Sequence, residues 1–313
     1  MRVFVAGGSG AIGKSLVPLL LAAGHEVVVL GRSAHKAEQL RALGAHVAVA
    51  DAFDKAQLTV AIMDAKPQVV IHQLTAIPAA IDLRRFDEDF ARTNRLRTEV
   101  TDVMLAAARK AGARRFIAQS FCGWPFAREG GPIKTEDAPL DPHPPAHFGK
   151  TLAALRYLED AVHRAEGIEA IALRYGFLYG PGTDISTGGR TVELVRRRRI
   201  PLVGDGGGIW SFIHVGDAAR ATVAAVTRGD PGLYNIVDDE PAPVSSWLPA
   251  LAEAVGAKRP HHVPAWLARL FIGEGGVSMM TAIRGGSNAK ARRELAWRPA
   301  WPTWRRGFVE GLG

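Results

Sequence analysis

A glycine-rich turn, Gly7-Gly8-Ser9-Gly10-Ala11-Ile12-Gly13, stands between an apolar β-branched run, Val3–Ala6, and a helical stretch near Ile12–Ala23. Glycines at such a junction let the chain reverse tightly and let a ligand approach the backbone. A pyrophosphate can then rest on the free amides at the helix start. The turn predicts a strand–turn–helix unit with Gly7, Ser9, Gly10, Ala11, Ile12 and Gly13 around a phosphate-bearing ligand. The same residues carry a rival pattern. Gly8 to Ser15 reads GxxxxGK[ST], a nucleoside-triphosphate loop, and Val47–Ala50 leading into Asp51 offers it a loose second element.

The first half of the chain repeats the unit. Short β-branched runs at Val3–Ala6, Val27–Leu30, His46–Ala50, Val69–His72, Arg115–Gln119 and Ala170–Arg174 alternate with helical patterns. The helices fall near Ile12–Ala23, His35–Leu43, Lys55–Met63, Phe86–Ala111 and Phe148–Glu166. Strands apolar on both faces, separated by helices, predict an α/β fold: a Rossmann-type, doubly wound parallel sheet. After about Gly180 the regularity stops, and five of the seven tryptophans lie beyond Pro241. The expected organisation is a nucleotide-binding domain over 1–179, rejoined by 210–237. A smaller, discontinuous substrate lobe takes 180–209 and 238–313.

Composition narrows the classes. No charged leader precedes Val3 and no apolar run approaches the roughly 20 residues that cross a bilayer, so neither export nor a membrane role is expected. The single cysteine, Cys122, rules out an internal disulfide and suits a reducing cytoplasm. A net charge of +8 raises the question of nucleic acid, but the excess sits in Arg196–Arg199 and Arg284–Arg306 with no zinc-finger spacing or aromatic RNA-binding signature. A solvated surface accounts for it, and no nucleic-acid partner is expected. His143 and His147 are spaced i,i+4, but Pro144-Pro145 between them deny a regular helix, so no metal site is expected.

The end of the second strand decides between the rival loops. It reads Gly31-Arg32-Ser33, where a site for NAD usually has a carboxylate for the ribose hydroxyls. Arg32, with Ser33 beside it, can instead pair with a 2′-phosphate, which points to NADP. The alternative for Arg32 is an ordinary exposed arginine.

At this point the residues resemble the extended short-chain dehydrogenases/reductases, also described as NAD-dependent epimerase/dehydratase proteins. Gly7, Gly10 and Gly13 match the GxxGxxG spacing. Asp51, followed by Ala52, resembles the aspartate that meets the adenine amino group. His72–Ala76, with Leu74 and Thr75, is similar to the segment passing under the cofactor. Asn94 matches a structural asparagine. Leu173–Gly182, containing Tyr175 and Phe177, resembles the stretch from the sixth strand to a YGPG turn, and Phe212–Ala219 the FxHVxDxA helix start. The resemblance implies a cofactor set that includes Asp51, Ala52, Leu74, Thr75, Asn94, Tyr175 and Phe177. It also implies a homodimer through the long helices.

The chemistry departs from that family. Its usual machinery is a tyrosine acid/base, a lysine four residues on, and a serine or threonine. None of the four tyrosines, Tyr157, Tyr175, Tyr179 and Tyr234, is followed by a lysine at that spacing. Phe148 takes the tyrosine position, Leu152 the lysine position and Phe121 the hydroxyl position, with Ser120 one residue before. Ser120 and His147 are the candidate replacements. Phe121, Trp124, Phe148, Phe177 and Trp210 predict an apolar pocket for a flat or aromatic small molecule. The expected function is an NADP-dependent oxidoreductase acting without the tyrosine–lysine pair, on a substrate such as an iminium or conjugated C=C that is already polarised. A non-catalytic NADP sensor and a nucleotide-sugar epimerase or dehydratase are the alternatives.

Overall fold

In the computed structural model, which describes residues 1–32 and 34–313, seven parallel strands form one sheet. They are β1 (Arg2–Ala6), β2 (Glu26–Gly31), β3 (His46–Val49), β4 (Val69–His72), β5 (Arg115–Phe121), β6 (Glu169–Tyr175) and β7 (Gly232–Ile236). Their spatial order is β3-β2-β1-β4-β5-β6-β7. The chain moves outward from β1 on one side, then crosses back to β4 on the other. That reversal opens a crevice beyond the carboxyl ends of β1 and β4, the switch point where such sheets bind ligands.

Helices cover both faces. On one lie α1 (Ala11–Ala22) and, far later in the chain, α8 (Val215–Ala225). On the other lie α3 (Lys55–Ala65), α6 (Thr101–Lys110) and α7 (Gly149–His163). Between β2 and β3 lies α2 (Ala34–Ala42). The strands are buried on both faces because α/β crossovers put a helix on each, which is why they read as continuous apolar runs.

Two expectations are corrected. The helix expected over Phe86–Ala111 is broken into α4 (Phe86–Asp89), α5 (Ala91–Arg95), a π-helical turn (Leu96–Val100) and α6. Thr98 competes for a helix carbonyl there, its hydroxyl donating to the Asn94 oxygen at 3.0 Å. The lobe boundary also differs. Ala291, Leu295 and Trp297, expected in the lobe, pack into the core of the sheet domain. The lobe's own core joins Val192, Trp247, Trp304 and Phe308 to Tyr179 and Phe212. Over it runs α9 (Ala265–Thr281), kinked at Gly273, whose φ of 67° favours glycine.

At the end of β4, His72 is buried with both ring nitrogens engaged. Nε2 donates to the Leu96 carbonyl (3.1 Å) and Nδ1 accepts from the Leu74 amide (3.3 Å). Only the neutral ring can do both. Burial and then the charge of Arg97 hold its pKa down at about 4, against the Leu96 hydrogen bond. Because the unfolded chain protonates near 6.5 and the folded one only near 4, stability should be full above pH 6.5 and fall as the pH drops toward 4. The loss should be on the order of 3 kcal/mol. Denaturant unfolding at a series of pH values should show this slope, and His72→Gln should remove most of it. An unchanged slope in that variant would refute the assignment.

Candidate functional site

The glycine turn is shaped by a close approach at the switch point. A side chain on Gly7, whose φ is 101°, would put its Cβ 2.5 Å from the Gln73 carbonyl oxygen that follows β4. One on Gly13 would strike the Gly7 and Gly8 backbone. Gly10 is exposed, and its amide donates back to Gly7 O at 3.0 Å. The first intrahelical bond of α1 is Lys14 N to Gly10 O, so the Ala11, Ile12 and Gly13 amides precede the helical ladder. No side chain caps this terminus and no acidic residue occupies its first turn. The positive end of the helix is therefore free for an anion, and the turn fits a dinucleotide pyrophosphate.

Around the turn, Arg32 is exposed at the end of β2, and no carboxylate pairs with it among the described residues. Ser33 lies outside those residues. Asp51, exposed beyond β3, accepts from the Phe53 amide at 3.0 Å, while Ala52 is buried beneath it. Leu74 and Thr75 follow β4, half-buried and exposed respectively.

The expected pocket residues do come together, as a chain of rings. Trp210 stacks on Phe177 (3.7 Å between centroids), and Phe177 meets Phe121 edge-on (5.1 Å). Phe121 lies 6.4 Å from Trp124, and Trp124 meets Phe148 edge-on at 5.2 Å. Two rings that the sequence had not placed in the pocket extend the chain. Phe86 stacks on Phe148 (4.1 Å) and on Phe90 (4.3 Å). The Phe148 ring is also pressed against Gly275 of α9, where any Cβ would collide with it. Phe148 is accordingly only 1% exposed, whereas Phe121, Phe177 and Trp210 are half-buried.

Three expected site residues sit elsewhere, and a fourth, Asn94, is partly engaged. Ser120 is 2% exposed, and its hydroxyl donates to Glu159 (2.6 Å), which pairs with buried Arg174 at 2.7 Å. Strand alternation sends the Ser120 side chain into this ion pair under α7, away from the rings. His147 is exposed beside Phe148 on a short 3-10 turn. Tyr175 is enclosed, its hydroxyl held by Gln73 (2.8 Å) and Thr222 (2.7 Å), so it belongs to the core. Asn94 spends its amide nitrogen on the Thr151 hydroxyl (3.0 Å). Thr151 in turn is gripped by Asp87, whose carboxylate accepts from the Lys150 and Thr151 amides and so caps α7 from outside the helix. Cys122 is fully buried, and burial pushes its thiol up, which disfavours the thiolate.

Comparison with known proteins agrees with this architecture. Residues 3–237 match the NAD dependent epimerase/dehydratase family. The chain belongs to that family. A 3-diazoavenalumate denitrifying reductase from a Streptomyces species is 43% identical over 98% of this chain and 99% of its own length. A 4-hydroxy-2-methyl-3-oxo-4-farnesyl-3,4-dihydroquinoline-1-oxide ketoreductase from Stigmatella aurantiaca is 30% identical, covering 82% of this chain and 74% of its own. Among solved structures, UDP-glucose 4-epimerase of Thermus thermophilus in complex with NAD superposes with a TM-score of 0.74 at 26% identity, over 100% and 98% of the two chains. This member of the epimerase/dehydratase family is therefore an oxidoreductase that uses a nicotinamide dinucleotide.

Packing suits a phenylalanine at position 148, which the resemblance sets at the tyrosine position. A phenol here would bring its hydroxyl between Phe86, Trp124 and the Gly275 backbone. Phe148→Tyr should thus cost about 1–3 kcal/mol by burying an unpaired hydroxyl. It should also fail to create the acid limb that a working tyrosine gives a pH–rate profile. Unfolding and the rate profile check the two halves, and a more stable, pH-responsive variant would overturn both.

Proposed function

We propose that this protein is an NADPH-dependent reductase of an aromatic diazo compound, acting on a group that needs no proton from the protein. One observation carries the reading. Phe121, Phe148 and Leu152, which the resemblance sets at the family's three polar positions, pack into one apolar cluster in a chain 43% identical to a reductase whose name specifies a diazo substrate and denitrification.

The bound nicotinamide supplies a hydride, which on an arenediazonium ion yields the arene and N2 with no proton taken up. The protein's share is to bind, orient and exclude water. The half-buried faces of Phe121, Phe177 and Trp210 suit a flat ring, and their quadrupoles favour a cation. A ketone reduced in the same place would leave an alkoxide, and neither Phe121 nor Phe148 has a proton to give it. By resemblance Trp210 falls where relatives place an arginine that helps hold a nucleotide diphosphate, and its Nε1 is spent on the Met279 carbonyl (2.8 Å), which disfavours a nucleotide sugar.

Arg32 supports NADP over NAD, since an exposed guanidinium at the end of β2 can take a 2′-phosphate in bidentate fashion. Arg32→Glu should weaken NADP binding roughly 10- to 100-fold while leaving NAD nearly unchanged. An equal loss of both dinucleotides in calorimetric titration would refute this cofactor choice.

The reaction itself is tested with purified protein, NADPH and an arenediazonium salt. N2 release should match NADPH consumed one to one, with simple ketones left untouched. Tight NADPH binding with no turnover of diazonium, iminium or enone substrates would reject the reductase and favour the sensor.

A further inference from the structure

Arg97, in the π-helical turn, is a buried cation that the reaction above leaves without a task. It is 7% exposed, and no carboxylate lies within salt-bridge distance of it among the described residues. Its Nη1 is fully enclosed with no hydrogen-bond partner. The nearest compensating charge is Glu159, whose carboxylate is already committed to Arg174 and Ser120. Burial draws the Arg97 pKa down only to about 10, so the group stays charged at neutral pH. Leaving such a charge unpaired is among the most costly arrangements in a protein interior.

The turn that carries Arg97 lies against the carboxyl edge of the sheet, where the Leu96 carbonyl accepts from His72, the last residue of β4. α5 and the π turn run back from the carboxyl edge of the sheet, and helical side chains lean toward the helix start. The guanidinium accordingly lies over Phe90, 5.9 Å from its centroid. Phe90 stacks on Phe86, and Phe86 on Phe148, so Arg97 stands at one end of the ring chain, behind the tyrosine position. Three residues earlier on the same helix, Asn94 leaves its Oδ1 buried and unpartnered. Its orientation is fixed. The Thr151 hydroxyl donates to Asp87 and can only accept from Asn94 Nδ2, which leaves the oxygen on the free side. A free donor and a free acceptor, one helical turn apart, ask for a group that accepts from one and donates to the other. A hydroxyl does both, whereas a carboxylate cannot donate.

We propose that Arg97, with Asn94, binds a ribose hydroxyl on the nicotinamide side of the dinucleotide, from a different helix than the one whose Leu152 replaces the lysine. This rests on the dinucleotide reading given above, and the two fail separately. Arg97→Met keeps the stem and removes the charge. Calorimetric titration of the ligand-free variant with NADP should give a dissociation constant raised roughly 10- to 100-fold. Binding of adenosine 2′,5′-bisphosphate, which lacks the nicotinamide ribose, should be unchanged. The melting temperature of the ligand-free variant should hold or rise, because an uncompensated charge has gone. Arg97→Lys should recover part of the NADP affinity.

The opposite results are equally clear. A lower melting temperature or failure to fold in Arg97→Met would make Arg97 a structural residue and overturn the proposal. So would unchanged NADP affinity, or equal losses for NADP and the bisphosphate. If NADP binding holds while a phenol probe binds the NADP-saturated variant more weakly, the hydroxyl belongs to the substrate and the ribose assignment falls. Absence of NADP binding to the unmodified protein would instead sink the dinucleotide reading.

Discussion

The contact on which the rest depends is the approach of the Gly7 backbone to the Gln73 carbonyl, at the gap where the sheet order turns back on itself. A methyl group on Gly7 or Gly13 would collide with backbone, which cannot give way as a flexible side chain can. That closeness seats the first turn of α1 directly above the carboxyl ends of β1 and β4. It leaves the helix start uncapped and without acidic neighbours, so its partial positive charge faces the crevice. Every later placement, from Arg32 at one flank to the rings at the other, is measured from this turn. The binding half of the site is thus set by main-chain packing rather than by any single side chain.

The chemical half follows a different rule. In a site built for proton transfer, a phenol, an ammonium and a hydroxyl must be solvated or paired at each stage, and each keeps the local packing open. Phe148, Leu152 and Phe121 remove that demand, and the protein fills the freed space. Phe86 and Trp124 close on Phe148 and the Gly275 backbone presses its ring, so one end of the pocket becomes dry core. The other end, at Phe121, Phe177 and Trp210, remains partly open. Restoring the tyrosine alone would not restore its surroundings.

Much of this was legible in the sequence because it depends on local pattern. The glycine turn and the strand–helix alternation are short-range signals, and all six expected strands exist within a few residues of their places. The pocket rings were found because they sit at fixed offsets from strand ends. The misplaced residues share a different cause. Ser120 neighbours Phe121 in sequence, but one step along a strand reverses the face, and it points into the Glu159–Arg174 pair. His147 neighbours Phe148, but on a short 3-10 turn it faces solvent while Phe148 is buried. Tyr175 lies in a recognisable segment, yet Gln73 and Thr222, far away in the chain, decide where its hydroxyl goes. Phe86 and Phe90 left a trace in their i,i+4 spacing. Arg97 left none, since its burial depends on the π turn and on α7 arriving beside it.

Placing Arg97 behind the tyrosine position also constrains where a cationic substrate can sit. Two like charges about 8 Å apart repel by about 2 kcal/mol at an effective dielectric of 20. An arenediazonium ion next to Phe90 would bear that penalty with no carboxylate free to offset it. At the opposite end of the ring chain, Phe177 and Trp210 stack at 3.7 Å and present π faces, which attract a cation instead. Four ring-to-ring steps separate Phe90 from Phe177. The aromatic chain therefore divides the pocket by charge. On the diazo and ribose readings proposed above, the charge of Arg97 favours a cationic substrate at the Phe177–Trp210 end of the ring chain.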